Sequence, residues 1–143
     1  MSKNLTKNEP KNLYKPIDYI MSLGGKRMRP ILVLMSCDLF GGDISEGMEA
    51  ALSIEMFHNF TLIHDDIMDR AELRRGKITV HKKWDLNTGI LSGDALMIQS
   101  NQRLEYYEGD IFKPLIALYN KTALEVCEGQ QMDIDFETMP KVD

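Results

Sequence analysis

Hydrophobic side chains recur at helical spacing along most of the chain. Between Ser45 and Asp69, for example, apolar residues return three to five positions apart at Ile54, Phe57 and Leu62. Paired glycines and isolated prolines interrupt the pattern, as they do at helix ends and helix starts. The pattern predicts helices over residues 13–22, 30–40, 45–69, 79–84, 87–107 and 114–137, with Pro16 in the first turn of the first helix and a charged loop over residues 70–77. No segment alternates apolar and polar residues as a half-buried strand does, so the sequence predicts an all-α fold.

The last predicted helix carries an apolar stripe, but few residues follow it that could pack on that stripe. A bundle helix is stable only when its apolar stripe is buried against neighbouring helices. We therefore expect residues 1–143 to form a single partial domain, one piece of a larger helical bundle.

Composition excludes several functional classes. The chain has 143 residues, 27% of them charged, and a net charge of −5, so it offers no basic field for nucleic acid. Its longest wholly apolar run, Ile31–Met35, is far short of the roughly 20 residues that span a bilayer, so no transmembrane segment is expected. The polar N-terminus has no apolar signal core, and Cys37 and Cys127 are isolated within helical patterns. These features predict a cytoplasmic protein with two reduced thiols in or near its core.

Three aspartates stand close together in the segment HDDIMD at residues 64–69. Successive helical residues are about 100° apart, so Asp65 and Asp69 share one face and Asp66 flanks it. Carboxylates this close repel one another unless a cation lies between them, and such hard oxygen ligands suit Mg²⁺. A solvated helix end is the alternative for this segment alone. The largely apolar residues before it favour a site at the rim of a buried region.

A basic segment, GGKRMRP at residues 24–30, enters a helix that begins near Pro30. Its charges come from Lys26, Arg27 and Arg29, at a point where the backbone N–H groups of a helix start are also free. This combination suits a phosphate or diphosphate. A solvated charge run at a helix boundary is the alternative.

Two further segments carry candidate polar groups. Arg74 and Arg75, in RRGK, follow the aspartates closely enough to reach a diphosphate held there, unless they form a solvated basic loop. Gln130 and Asp133, in EGQQMD, lie three apart on the last predicted helix and could equally form an exposed face. Two isolated side chains are expected to be packing residues, His81 and Trp84.

In order and spacing, the segments GGKRMRP, HDDIMD, RRGK, LSGDALM and EGQQMD resemble the trans-type polyprenyl (isoprenyl) diphosphate synthase family. The resemblance runs from Leu13 to the end of the chain and covers about the first half of the family fold, the N-terminal part of the isoprenoid synthase helical bundle. It implies a Mg²⁺-dependent prenyltransferase that condenses an allylic diphosphate with isopentenyl diphosphate. In this reaction the allylic C–O bond ionises, the double bond of isopentenyl diphosphate attacks the carbocation, and a proton is then lost to the departed diphosphate.

The resemblance also implies roles for individual residues. Asp65 and Asp69 are expected to bind Mg²⁺ with support from Asp66, and Arg74 matches the arginine that binds the allylic diphosphate. The isopentenyl diphosphate site is expected to comprise four residues, Lys26, Arg29, His58 and Arg75. Two polar residues are expected to face the allylic and metal region from the opposite helix, Gln130 and Asp133.

Product length is expected to depend on residues one to two turns before Asp65. Thr61 lies about 40° from Asp65 on an ideal helical wheel and is small, whereas Phe60 lies about 140° away. The family resemblance nevertheless marks Phe60 as the floor of the chain-length pocket, with Phe57 as a deeper stop. A bulky Phe60 beside a small Thr61 favours short products, farnesyl or geranylgeranyl diphosphate.

The second aspartate-rich motif of the family lies outside this sequence. We therefore expect the chain to be inactive by itself and the full-length enzyme to be a homodimer, as the resemblance implies. The alternative is a non-catalytic half-synthase that pairs with another polypeptide. Clustered, mutually repelling aspartates favour the catalytic interpretation, because a scaffold has no physical need for them.

Overall fold

The computed structural model describes residues 9–139 and confirms the predicted all-α fold. The described residues form two compact units, the first ending at Tyr106 and the second beginning at Tyr107. The α-helices are α1 (Lys11–Ser22), α2 (Met28–Leu39), α3 (Met48–Met68), α4 (Val80–Lys83), α5 (Leu86–Arg103) and α6 (Phe112–Thr138). The remaining elements are strands β1 (Leu73–Arg74) and β2 (Lys77–Ile78) and two 3₁₀ turns, Leu104–Tyr106 and Gly109–Ile111.

Segment 70–77 is not the simple loop that the sequence pattern predicts. β1 and β2 pair antiparallel, with Leu73 opposite Ile78 and Arg74 opposite Lys77. The two residues between the strands, Arg75 and Gly76, have φ angles of 53° and 74°. Positive φ at both positions is the requirement of the type I′ turn that joins tight hairpins. Strands of two residues are too short to show an alternating pattern, so no periodic signal predicts them.

The predicted position of Pro16 in the first turn of α1 is also wrong, because the helix begins at Lys11 rather than Leu13. Pro16 therefore lies in the helix interior, where it cannot donate to the carbonyl of Asn12. Asn12 is exposed, so water can satisfy that carbonyl.

The core of the first unit is centred on the contact between α3 and α5, with α1 packed on α5 and α2 on α3. Small residues of α5 allow the close approach: the Ser53 hydroxyl of α3 donates to Ser100 O at 2.7 Å, and the Ser92 hydroxyl donates to Leu13 O of α1 at 2.9 Å. The fully buried apolar side chains around these contacts include Ile17, Ile20, Met56, Ile63 and Leu96.

Two helices leave most of their large apolar side chains exposed. No residue of α2 is buried, and none is buried in α6 of the second unit. Cys127 on α6 is exposed, so the prediction of a core or near-core position is wrong for this thiol, while Cys37 is half-buried. Within residues 9–139, no helix combines the length and the apolar character needed to cross a membrane.

Candidate functional site

The three predicted aspartates lie at the C-terminal end of α3 in two different environments. Asp69 follows the last helical residue, and its backbone N–H donates to Asp65 O at 2.9 Å, which continues the helical turn. The side chains of Asp65 and Asp69 therefore stay on one side of the helix, as their spacing predicts. Asp65 is half-buried and Asp69 exposed, whereas Asp66 is only 1% exposed.

Asp66 is paired with Arg74 of β1. Arg74 Nε donates to Asp66 Oδ1 at 2.8 Å and to Oδ2 at 2.9 Å, and Arg74 Nη2 lies 2.8 Å from Asp66 Oδ1. The same Nη2 donates to Asp65 Oδ2 at 3.3 Å. These bonds raise the pKa of the Arg74 guanidinium further, chiefly through the hydrogen bond to Asp66. Asp66 thus holds the arginine, and Asp65 and Asp69 are the carboxylates left to face solvent.

The electrostatics of Asp65 fit a cation ligand. Desolvation raises the pKa of its carboxyl group, and the nearby Asp69 raises it further, while Arg74 acts in the opposite direction. A carboxylate whose charged form is disfavoured in this way gains from a bound cation. Within residues 9–139, no three His, Cys, Asp or Glu side chains come close enough to hold a metal ion by themselves. Asp65 and Asp69 therefore fit a hard divalent cation that takes its other ligands from water or from the oxygens of a diphosphate.

A second cluster, which we term the cation cleft, lies between the 24–29 segment, α3 and the hairpin turn. It has a volume of about 510 Å³ and is lined by Gly25, Lys26, Arg27, Met28, Arg29, Glu55, His58 and Arg75. The structure thus brings together all four residues predicted for the isopentenyl diphosphate site. Of the four lining cations, Arg27 alone makes an ion pair with a carboxylate of the described residues, through Glu55.

His58 contributes to the cleft as a neutral group. Arg29 Nη1 lies 3.4 Å from His58 Nε2. Desolvation lowers the pKa of the imidazole, and the positive charge of Arg29 lowers it further. His58 is therefore available as a hydrogen-bonding group rather than as a further cation near neutral pH.

The hairpin directs its two arginines to different clusters. Arg74 reaches Asp66, whereas the Arg75 guanidinium donates to Gly24 O and lines the cation cleft. The φ of 147° at Gly25 is one that favours glycine, and a Cβ on its backbone would lie 2.6 Å from Arg75 Nη1 and displace the guanidinium. The double glycine, which the sequence pattern explains as a helix end, thus also makes room for an arginine.

The residues predicted to control chain length lie on α3, which is helical without interruption from Met48 to Met68. Phe60 is buried, with its ring 5.4 Å from that of Phe57 and 4.9 Å from that of His64. His64 Nε2 in turn lies 3.1 Å from Ile90 O of α5. Phe60 therefore belongs to the side of α3 that packs toward α5, and no irregularity of the helix turns it toward Asp65. Thr61 is half-buried, and its hydroxyl donates to His58 O at 2.8 Å.

Gln130 and Asp133 belong to the second unit, where they lie one turn apart on α6. Gln130 is half-buried and Asp133 exposed. A role for them opposite the aspartates stays a prediction. The packing role of Trp84 agrees with its edge-on contact to Tyr19, with ring centroids 5.4 Å apart.

Sequence reasoning missed Glu55 and Asn59, two buried polar residues of α3. Glu55 pairs with Arg27, and the Asn59 side chain donates to Glu55 O at 2.7 Å and to Glu55 Oε1 at 3.2 Å. A signal was available, because a glutamate and an asparagine one turn apart interrupt a largely apolar helical segment.

Comparison with known proteins identifies similar chains. A model of the family described as "Polyprenyl synthetase" matches residues 10–143. The geranylgeranyl diphosphate synthase of Methanosarcina mazei is 42% identical over 135 residues, which cover 93% of this chain and 42% of that protein. The farnesyl diphosphate synthase of Micrococcus luteus is 47% identical over 92 residues, covering 63% of this chain and 32% of that protein.

Solved structures agree. A crystal structure of a geranylgeranyl pyrophosphate synthase matches with a TM-score of 0.94 and 57% identity, covering 96% of this chain and 42% of that one. The geranylgeranyl pyrophosphate synthetase of Geoglobus acetivorans matches with a TM-score of 0.91 and 38% identity, covering 96% of this chain and 45% of that one. This chain thus spans less than half the length of these relatives.

Proposed function

Because this chain belongs to the polyprenyl synthetase family, we propose that it forms part of a prenyltransferase that joins an allylic diphosphate to isopentenyl diphosphate. The relatives named for geranylgeranyl and farnesyl diphosphate synthesis support short-chain trans products. The observation that carries the proposal is the hairpin turn, which sends two adjacent arginines into two separate charged clusters. A condensation of two diphosphates needs two anion sites side by side.

The cation cleft is the proposed site of isopentenyl diphosphate. Lys26, Arg29 and Arg75 line it without a carboxylate partner among the described residues, so their charges remain available for a diphosphate. Two arginines can each offer parallel N–H groups to phosphate oxygens, and the lysine adds a compact charge. Neutral His58 supplies a further hydrogen-bonding group beside Arg29.

The allylic diphosphate is proposed to bind at Asp65, Asp69 and Arg74. Asp65 and Asp69 would hold Mg²⁺, with Asp66 fixing the orientation of Arg74. Mg²⁺ bound there would neutralise charge on the leaving diphosphate. Arg74 is oriented by Asp66 before any substrate arrives, so its N–H groups can stabilise the same developing charge without reorganisation.

The proposed reaction needs no protein nucleophile. The allylic C–O bond breaks with both electrons leaving on the diphosphate, and the double bond of isopentenyl diphosphate attacks the allylic cation to form the new C–C bond. Loss of a proton from the resulting cation then restores a double bond, and this proton passes to the departed diphosphate. The contribution of this chain is to hold the two diphosphates and to stabilise the charge that develops between them.

The proposal also concerns the full-length protein, of which this chain is a part. We propose a homodimeric enzyme of the cytoplasm, in which Gln130 and Asp133 face the allylic site and this chain alone is inactive. The alternative remains a non-catalytic half-synthase that pairs with another polypeptide.

The test is turnover of an allylic diphosphate with labelled isopentenyl diphosphate by the full-length protein in the presence of Mg²⁺. Asp65→Ala is expected to abolish turnover while the helical circular dichroism signal is retained. Asp38→Ala, which removes an exposed carboxylate on α2, is the matched control and should keep wild-type turnover. Near-normal turnover by the Asp65→Ala protein would sink the assignment. If the wild-type protein shows turnover only when a second polypeptide is added, the half-synthase is favoured.

A further inference from the structure

We propose that Glu55 is a positioning residue for the cation cleft: together with Arg27 it fixes the 24–29 segment, so that Lys26 and Arg29 converge on isopentenyl diphosphate. This inference rests on the proposed function, since it concerns the affinity of that site. Glu55 itself is expected to make no contact with the substrate.

Glu55 links three elements of the first unit. Glu55, on α3, is 7% exposed, and its carboxylate pairs through Oε1 with Arg27 Nη1. Arg27 precedes the first residue of α2, and its Nη2 donates to Met21 O near the end of α1 at 2.9 Å. One carboxylate on a long, well-packed helix thus determines where the chain passes from α1 into α2.

The backbone at Arg27 shows that this side chain is under constraint. Its φ of 51° and ψ of 32° lie in the left-handed region, which an arginine adopts only at an energetic cost. The conformation persists when surrounding contacts over-determine it. Here the contacts are the two on the guanidinium, to Glu55 and to Met21 O.

Asn59 supports the orientation of Glu55. It is fully buried, and its Nδ2 donates both to Glu55 O and to Glu55 Oε1. Its Oδ1 is buried without a hydrogen-bond partner among the described residues. A buried acceptor of this kind is unfavourable and needs an explanation. The explanation we offer is that the Asn59 side chain is held in this position because its Nδ2 orients Glu55.

Electrostatics alone makes the opposite prediction for Glu55. A carboxylate that lines a cleft for a diphosphate repels the ligand, so its removal should tighten binding. Removal of a positioning residue should weaken binding, because Lys26 and Arg29 lose their fixed geometry. The sign of the change therefore distinguishes the two explanations.

The experiment uses the full-length protein and the variants Glu55→Gln, Arg27→Gln and the double variant. Glu55→Gln keeps the size of the side chain but removes its charge. It is expected to raise the KM for isopentenyl diphosphate by roughly tenfold to a hundredfold, with the KM for the allylic diphosphate unchanged. Arg27→Gln should behave in the same way, and the double variant should be no worse than either single variant because both remove one interaction.

The matched control is Glu49→Gln, on the same helix. Glu49 pairs with Arg103 at 3.4 Å and does not line the cleft, so both KM values should stay at the wild-type level. Glu55→Asp keeps the charge on a shorter side chain, should fold, and should raise the KM for isopentenyl diphosphate less than Glu55→Gln does. It serves as the second test if Glu55→Gln fails to fold.

Each outcome bears on a separate claim. A wild-type protein that shows no saturable use of isopentenyl diphosphate contradicts the proposed function itself. If the wild-type protein uses it and Glu55→Gln leaves its KM unchanged or lowers it, the positioning role is wrong. Equal rises in both KM values, together with a lower melting temperature, would show that Glu55 acts on the fold as a whole and would also overturn the inference.

Discussion

Replacement of Asp66 by asparagine is expected to destabilise the protein, whereas the same replacement at the neighbouring Asp65 is not. Asp66 is 1% exposed and accepts from Arg74 Nε at 2.8 and 2.9 Å. Asp65 is half-buried and contacts the same arginine only through one bond of 3.3 Å. The two residues are adjacent and chemically identical, so their difference isolates the effect of environment.

The expected magnitude at Asp66 follows from its partner. A hydrogen bond to a charged group contributes about 1.5–3 kcal/mol. After Asp66→Asn, the Arg74 side chain is still 24% exposed and near Asp65, so its charge is not left without a partner. We therefore expect Asp66→Asn to cost about 2–3 kcal/mol. Arg74→Met leaves the buried carboxylate of Asp66 unpaired, so it should cost more, about 3–5 kcal/mol. In combination with Asp66→Asn, Arg74→Met should cost less than it does alone.

Asp65→Asn should leave the free energy of unfolding unchanged or slightly increase it. Desolvation and the charge of Asp69 raise the pKa of Asp65, which means that the folded protein disfavours its ionised form. A neutral asparagine removes that penalty above the pKa, where the carboxylate is charged. Because Asp65 is half-exposed, solvent screening keeps the gain small.

Urea denaturation followed by circular dichroism measures these differences, provided that the slopes of the transitions agree among the variants. Turnover is measured in parallel: Asp65→Asn should lose activity at unchanged stability, and Asp66→Asn should lose both. Equal stability losses at Asp65 and Asp66 would refute the assignment of separate environments. A greater loss for Asp66→Asn than for Arg74→Met would contradict the burial argument.

Three further substitutions test other parts of the site. Asparagine suits the positive φ of 53° at position 75 better than arginine does. The Arg75→Asn protein should therefore keep or gain thermal stability, while its KM for isopentenyl diphosphate rises. A lower melting temperature would contradict the strain argument. If the chain-length pocket curves around α3 to the α5 side, where the Phe60 ring lies, Phe60→Ala in the full-length enzyme should lengthen the product by at least one isoprene unit, resolved by chromatography; an unchanged distribution would exclude Phe60 as the floor. Gly93→Ala places a Cβ 2.5 Å from His64 Cδ2 and should lower the free energy of unfolding by about 1–3 kcal/mol. Addition of His64→Ala should restore part of this loss. If the double variant is no more stable than Gly93→Ala, the proposed contact is refuted.

The helices were predictable because their apolar residues repeat with the helical period over many turns. The same period correctly placed Asp65 and Asp69 on one side of α3. It could not identify the partner of Asp66, since Arg74 reaches Asp66 only after the chain reverses through a hairpin that has two residues in each strand. Contacts of this kind depend on tertiary geometry and leave no periodic signal.

The cation cleft shows a different limit. Lys26 and Arg75 lie far apart in the sequence, and it was family resemblance, not spacing, that predicted them in one site. The local pattern could mark Glu55 as a polar residue in a largely apolar segment, but it does not encode the ion-pair partner Arg27, 28 positions earlier. The helical-wheel angle of Phe60 indicated that its ring lies away from Asp65, and the uninterrupted α3 indeed leaves this ring on the side toward α5.

The hairpin turn relates the two clusters through the backbone. Two-residue strands are not stable alone, and the Tyr19 hydroxyl of α1 holds this pair by donating to Ile78 O at 2.7 Å. From this fixed position, Arg74 extends to the aspartates while Arg75, in the left-handed conformation, extends into the cation cleft. Two adjacent residues of one turn therefore set the separation between the proposed diphosphate sites. In a condensation of two substrates, the rate depends on how closely the reacting carbons are held, and a short turn holds that separation more tightly than two long side chains on independent helices could.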